Sequence, residues 1–137
     1  MKGRSPFLIA LAGLCLAGCS KSAERNLPKA PVSGTVTYSK PLPQGEVVFQ
    51  HSSGELVVAK FGPDGKYKQD VPIGPNKVMV RSQTSSTQEN QQRAGMQMEI
   101  FTNHAPLKYA NFGTSNLEYT VKEGKEGDNT FDVKMVD

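Results

Sequence analysis

Residues 77–81, "KVMVR", put Val78 and Val80 on one side of an extended chain and Lys77, Met79 and Arg81 on the other. Successive side chains of a strand point to opposite faces, so this alternation predicts one buried and one solvated face. Residues 130–135, "TFDVKM", repeat the pattern, with Phe131, Val133 and Met135 facing inward and Thr130, Asp132 and Lys134 outward. Strands buried on one side only are what two antiparallel sheets packed face to face require.

Working outward from these two runs, short period-two segments recur between Gly, Pro and Asp. Strands are expected at about Val32 to Tyr38, Glu46 to His51, Leu56 to Phe61, Lys66 to Asp70, Lys77 to Ser82, Glu118 to Lys122 and Thr130 to Val136. The fold class is therefore all-β, a seven-stranded antiparallel β-sandwich; no stretch has the period of a long helix. "GPDGKY", Gly62 to Tyr67, carries an Asp64-Gly65 pair suited to positive φ, which predicts a hairpin between the third and fourth strands. Ser82 to Arg93, "SQTSSTQENQQR", is polar and aperiodic and reads as a solvated loop, though loops on rigid scaffolds also carry contacts. After it, Met96, Met98 and Ile100 alternate with polar residues and suit a short edge strand or a packed loop base.

The N-terminus has its own organisation. Lys2 and Arg4 precede an apolar run, Phe7 to Ala17, of secretory length. It is shorter than the roughly 20 apolar residues that span a bilayer. "LAGC", Leu16 to Cys19, places small residues before a cysteine and resembles the lipobox of bacterial lipoproteins. The resemblance implies removal of residues 1–18 as a lipoprotein signal peptide and acylation of Cys19, with palmitate-type chains anchoring the protein to a membrane. Two or more acyl chains give stable anchoring where one does not. Residues 19–31, with "SKSAERNLPKAP" after the cysteine, read as a flexible tether, and residues 32–137 as the folded domain. Cys15 falls within the signal peptide and Cys19 carries lipid, so no disulfide or thiol chemistry is expected. Without Lys2 and Arg4 the formal net charge falls from +3 to +1, which gives no footprint for nucleic acid.

"VSGTVTYSKPLPQGEVVF", Val32 to Phe49, with "DGKY" and the strand entered at Gly74, resembles the first half of carboxypeptidase regulatory-like domains, which are transthyretin-like (prealbumin-like) sandwiches. "PLKYANFGTSNLEYTVKEG", Pro106 to Gly124, with "NTFDV", Asn129 to Val133, is similar to the second half of planctomycete-type envelope lipoproteins that carry this domain. Lys40, "IGPNKV" and Lys125 to Gly127 depart from the pattern at turns. The resemblance implies a fold and a place in the cell envelope, and little mechanism. In carboxypeptidases the domain is an accessory to a catalytic domain, so the resemblance implies no peptidase activity for this sandwich by itself. The chain also ends Lys134-Met135-Val136-Asp137, without the Tyr-Arg-Gly-Ser tail of transthyretin-like hydrolases.

Residues that could carry chemistry are few. His51 and His104 are the only histidines, and neither sits in a metal-ligand spacing. His51 is expected at a strand end near the core and His104 in a loop. No GxSxG elbow or Gly-rich phosphate loop is present. Tyr109 could stack on a sugar ring, with Lys108 and Asn111 supplying hydrogen bonds. The competing role for Tyr109 is to bury its ring and pin a crossing loop, as tyrosine corners do. Thr114 and Ser115 suit hydrogen bonds to nearby backbone. Lys40 and Asn129 are the nearest pair for a Lys–Asn isopeptide cross-link, with no acid partner in view.

The expectation is a non-enzymatic envelope lipoprotein anchored through Cys19, needing no cofactor and no metal, that binds an envelope protein or polysaccharide. The alternative is a structural spacer with no specific ligand. Ser20 stands where an inner-membrane retention signal would have Asp, which favours the outer membrane. An exposed Tyr109 would favour sugar binding, a buried one the pinning role.

Overall fold

The computed structural model describes residues 26–89 and 95–137 and is all-β, with two short helical turns. Its strands are β1 (Lys29–Thr37), β2 (Gly45–His51), β3 (Leu56–Phe61), β4 (Lys66–Pro72), β5 (Gly74–Arg81), β6 (Gln83–Glu89), β7 (Gln97–Asn103), β8 (Leu117–Val121), β9 (Asn129–Thr130) and β10 (Val133–Lys134). A 3-10 turn, Leu107–Ala110, and a one-turn helix α1, Phe112–Ser115, lie between β7 and β8. The expected signal peptide, residues 1–18, together with Cys19 and most of the expected tether, lies outside the described residues. The domain nevertheless starts earlier than expected: Lys29, Ala30 and Pro31 already pair with β4, and Ala30 is buried.

One sheet runs β3-β2-β5-β8, antiparallel throughout. In the other, β1 lies between β4, antiparallel to it, and the β9 and β10 segments, parallel to it. The C-terminal segment therefore corrects the expectation of purely antiparallel sheets. It also appears as two short strands where one was expected. The register is unbroken across the gap, Val32 opposite Asn129 and Val36 opposite Val133. Between them the Asp132 carboxylate takes over from a backbone carbonyl and accepts the Thr35 N–H at 2.9 Å.

The apolar faces of the two sheets share one core. Val47, Phe49, Val78 and Val80 of one sheet and Val32, Val36, Tyr67, Val71 and Val133 of the other are all buried in it. The two quoted runs behave as read: Val78, Val80, Val133 and Met135 are buried, Phe131 packs against the core, and Lys77, Arg81, Thr130, Asp132 and Lys134 are exposed. Phe49, fully buried, lies 6.2 Å from Tyr67 and 6.5 Å from Phe131, while Tyr119 stacks on Phe131 at 4.8 Å. Edge and offset contacts of this kind add to what area burial alone contributes.

The Asp64-Gly65 turn is not a hairpin. β3 and β4 belong to different sheets, so the turn carries the chain from one layer to the other. Gly65 has φ +73°, and a Cβ there would come within 2.2 Å of the Val36 carbonyl oxygen. Its own carbonyl accepts the Val36 N–H at 2.8 Å, which locks the corner onto β1. The sequence rightly asks for glycine, but the close approach of β1 is part of the reason.

Tyr67 donates its buried hydroxyl to the Phe131 carbonyl. Burial, and then the charges of Asp132 and an ionised Tyr119, push its phenol well above the ordinary tyrosine range. The folded state thus holds this proton more tightly than the unfolded chain, whose tyrosines titrate near pH 10. The stabilisation is complete below about pH 10 and is lost as pH rises toward the folded value. Urea midpoints measured from pH 8 to 11.5 should fall steeply above pH 10. In Tyr67→Phe, which starts lower, that alkaline slope should flatten.

Candidate functional site

Two ends of the domain can be told apart from the strand registers. At one end the described chain begins: Pro28 accepts the Ile73 N–H at 2.9 Å, Lys29 pairs with Pro72, and the Lys29 ammonium meets the Glu55 carboxylate at 2.7 Å. His51, the last residue of β2, belongs to this end. Its Nδ1 accepts the Ser53 N–H at 3.1 Å, and its Nε2 faces the Ile73 carbonyl at 3.1 Å. A carbonyl can only accept, so the proton sits on Nε2. β5 leaves this end at Gly74 and arrives at the other at Arg81, about 23 Å away across the seven steps of an eight-residue strand.

At the far end stand the residues singled out for sugar binding. Tyr109 is buried at 6% exposure, and its hydroxyl accepts the Val136 N–H at 3.0 Å. A ring enclosed on this scale cannot stack on a sugar, so the sugar-platform reading of Tyr109 is corrected to the pinning role. The driving force is burial of the ring in the main core, with the hydroxyl satisfied by the C-terminal segment. Lys108 is exposed and holds its ammonium 5.3 Å from the Tyr109 ring centroid. Asn111 is exposed too, but its side-chain oxygen caps α1 by accepting the Gly113 N–H at 2.7 Å. The three residues are neighbours without forming a shared binding face.

Thr114 acts as the sequence suggested, while Ser115 accepts the Leu117 N–H at 3.3 Å locally but sends its own proton to another strand, β5. Thr114 Oγ1 donates to the Lys108 carbonyl at 2.6 Å, and buried Ser115 donates to the Val78 carbonyl. Tyr109→Phe should keep the packing and cost about 1 kcal/mol for the lost acceptor, whereas Tyr109→Ala should cost about 3–5 kcal/mol. Equilibrium unfolding of the two variants separates the hydroxyl from the ring.

Lys108 instead belongs to a surface charge cluster with Tyr38, Lys40 and Asp137. The Tyr38 hydroxyl bonds the Asp137 carboxylate, and the Lys40 ammonium lies 3.6 Å from it. That hydroxyl first, with the charges of Lys40 and Lys108 behind it, holds the Asp137 carboxyl below its ordinary value. The Lys40 ammonium is thus engaged with Asp137 rather than with Asn129, the partner considered for a cross-link. Asn129 is buried and uses its side-chain amide as a strand would use backbone: Oδ1 accepts the Lys122 N–H at 2.9 Å and Nδ2 donates to the Lys122 carbonyl at 2.8 Å. The pairing extends β8 by one rung toward β9.

The largest departure from the sequence reading is at the far end. Residues 83–89, expected as loop, form β6, which pairs with β7 into a separate two-stranded ribbon. "QTSSTQE" has no apolar alternation, so its strand character comes from the ladder with β7 alone. Residues 90–93 of the expected loop lie outside the described residues. The base of the ribbon is held firmly: Ser82 is buried and donates to the Gln44 carbonyl, the His104 N–H bonds the Ser82 carbonyl at 2.8 Å, and Thr84 Oγ1 lies 2.8 Å from His104 Nε2. Beyond that base Met96, Met98 and Phe101 are exposed, each by more than half. Serine, threonine and histidine at the root, unremarkable in the sequence, are what set its position.

Among the described residues no three His, Cys, Asp or Glu side chains gather as a metal site would need, and no helix is long and apolar enough to cross a membrane. A groove of about 370 Å³ crosses β2, β5 and β8 near the first end, walled by Gln50, Lys77, Glu118 and Thr120. No family model matches the chain, and no curated protein and no solved structure is significantly similar to it.

Proposed function

We propose that the chain is a bacterial envelope lipoprotein, held to the membrane by acyl chains on Cys19, that displays a transthyretin-like β-sandwich as a non-enzymatic binding module. Its seven strands are β1 to β5, β8 and the interrupted β9–β10 pair. Its partner is an envelope protein or polysaccharide, and the outer membrane is its favoured location. The observation that carries the reading is the polarity of the domain. β1 begins at one end, ten residues after Cys19, while the ribbon with its exposed apolar residues leaves the other. Such an arrangement suits a module that is held at its root and meets partners at its tip. With Tyr109 buried, the contact surface falls to the ribbon rather than to Lys108 and Asn111.

Acylation is tested by feeding cells a labelled fatty acid: the parent chain should carry label and Cys19→Ala should not. Binding is tested by immobilising the protein through its N-terminus and passing solubilised envelope proteins and polysaccharides over it. Saturable retention of one component, lost when residues 83–103 are replaced by a short Gly-Ser link, supports the module. No retention by folded protein supports the spacer instead.

A further inference from the structure

We propose that the ribbon is a self-association element, in which β7 of one molecule pairs antiparallel with β7 of a second copy to make a four-stranded β6-β7-β7-β6 sheet. An isolated two-stranded ribbon is marginal in water, and among the described residues nothing pairs with either outer edge of this one. Native edges are normally guarded by charged side chains, lysine above all, by proline or by bulges, and β7 has a single charge, Glu99. Neither "QTSSTQE" nor "QMEIFTN" contains a lysine, arginine or proline, and the ladder runs from Gln83–Asn103 to Glu89–Gln97 without a bulge. β3, an edge of the main sheet, by contrast carries Lys60.

The choice of a second copy rests on what β7 presents to itself. Only one register uses all seven residues of the strand, with Ile100 at its centre facing Ile100 of the other copy. In that register Met98 falls opposite Thr102, Gln97 opposite Asn103, and Glu99 opposite Phe101. The only charged residue of β7 therefore avoids its twin, where a shift of the centre to Glu99 would set two carboxylates face to face. Paired residues share a face, so Met98 and Ile100 of both copies form one continuous apolar row. The polar side chains of β6 are left at the outer edges, where they give a third strand little to bury. The ribbon stands at the end of the domain opposite Lys29, so pairing leaves the start of β1 clear. One strand pair buries much less than the roughly 1,200–2,000 Å² of stable complexes, so the association should be reversible and concentration-dependent.

The test is disulfide trapping in the full-length chain, with single cysteines added by Ile100→Cys or Ser86→Cys. Paired Cα atoms in a sheet lie within about 4.5–5.5 Å, inside disulfide reach, whereas Ser86, one strand further out on each side, would be some three strand spacings from its twin. Under mild oxidation Ile100→Cys should give a covalent dimer at least tenfold more than either Ser86→Cys or the parent. Co-expressed Met98→Cys and Thr102→Cys chains should cross-link to each other, and Met98→Cys alone should not. Ile100→Lys should shift the mass of the purified protein in solution from a concentration-dependent mixture to monomer. Equal trapping at positions 86 and 100, a monomer at every concentration, or cross-linking only to a different protein would overturn the proposal. All these substitutions lie on the ribbon outside the main core, and circular dichroism identifies any variant that fails to fold, for which the cysteine pair at 98 and 102 stands in.

Discussion

Phe49→Ala is expected to lower the unfolding free energy by about 3–5 kcal/mol, the range for removing a fully enclosed phenylalanine. Phe49 has no exposed surface and reaches from one sheet toward Tyr67 and Phe131 of the other, so the void would open between the layers. Those neighbours cannot easily close it. Tyr67 is tied by its hydroxyl to the Phe131 carbonyl, and Phe131 is stacked on Tyr119. For a domain near 100 residues the midpoint of thermal unfolding should drop by roughly 15 °C or more. Phe49→Leu, which fills most of the space, should lose less than half as much. A Phe49→Ala loss under 1 kcal/mol by urea titration would mean that the two sheets do not share this core.

Gly34→Ala should be comparably severe for a different reason. A Cβ at position 34 would lie 1.9 Å from the Phe131 carbonyl oxygen and 2.8 Å from the Tyr67 hydroxyl. The obstructing atom is backbone, held by the unbroken pairing of β1 with β9 and β10, so relief requires that register to give way. A loss of about 3 kcal/mol or more is expected. Gly62→Ala is the control, because nothing lies closer than 4.0 Å to its Cβ; it should stay within about 0.5 kcal/mol of the parent. Similar denaturation midpoints for the two variants would rule out this packing of the C-terminal segment on Gly34.

These two sites also show what could be read from the sequence. Phe49 lies in the expected second strand, but Val47, Val48 and Phe49 are all buried, so alternation does not by itself assign its face; the period-two reading located β1 to β5 and β8 and took β9 and β10 as one strand. Nothing in the sequence sets Gly34 apart within the first expected strand, since the atom it must admit belongs to a segment nearly a hundred positions away. The corner at Gly65 misled in the same manner. Its dipeptide specifies a conformation, but not whether the flanking strands share a sheet. β6 was illegible because its residues bury nothing and are extended only by the partner ladder. For the site, alternatives were legible and the choice was not: Tyr109 as pin or platform depends on whether Val136 offers its N–H, which is set by tertiary packing. Asn129 likewise revealed nothing of its amide pairing with Lys122 in the spacing of residues.

The position of β1 bears on the order of events during biogenesis. The strand that occupies the middle of its sheet is among the first parts of the domain to be synthesised, and one of its two neighbours, β10 at Val133–Lys134, is among the last. A chain emerging from its N-terminus cannot close that edge until almost all of it is available. Pairings so distant along the chain make folding slow relative to locally connected folds. The domain should therefore remain open for the whole of its synthesis, with β1 exposed to chaperones or to other chains, and should shut in a single late step when β9 and β10 arrive.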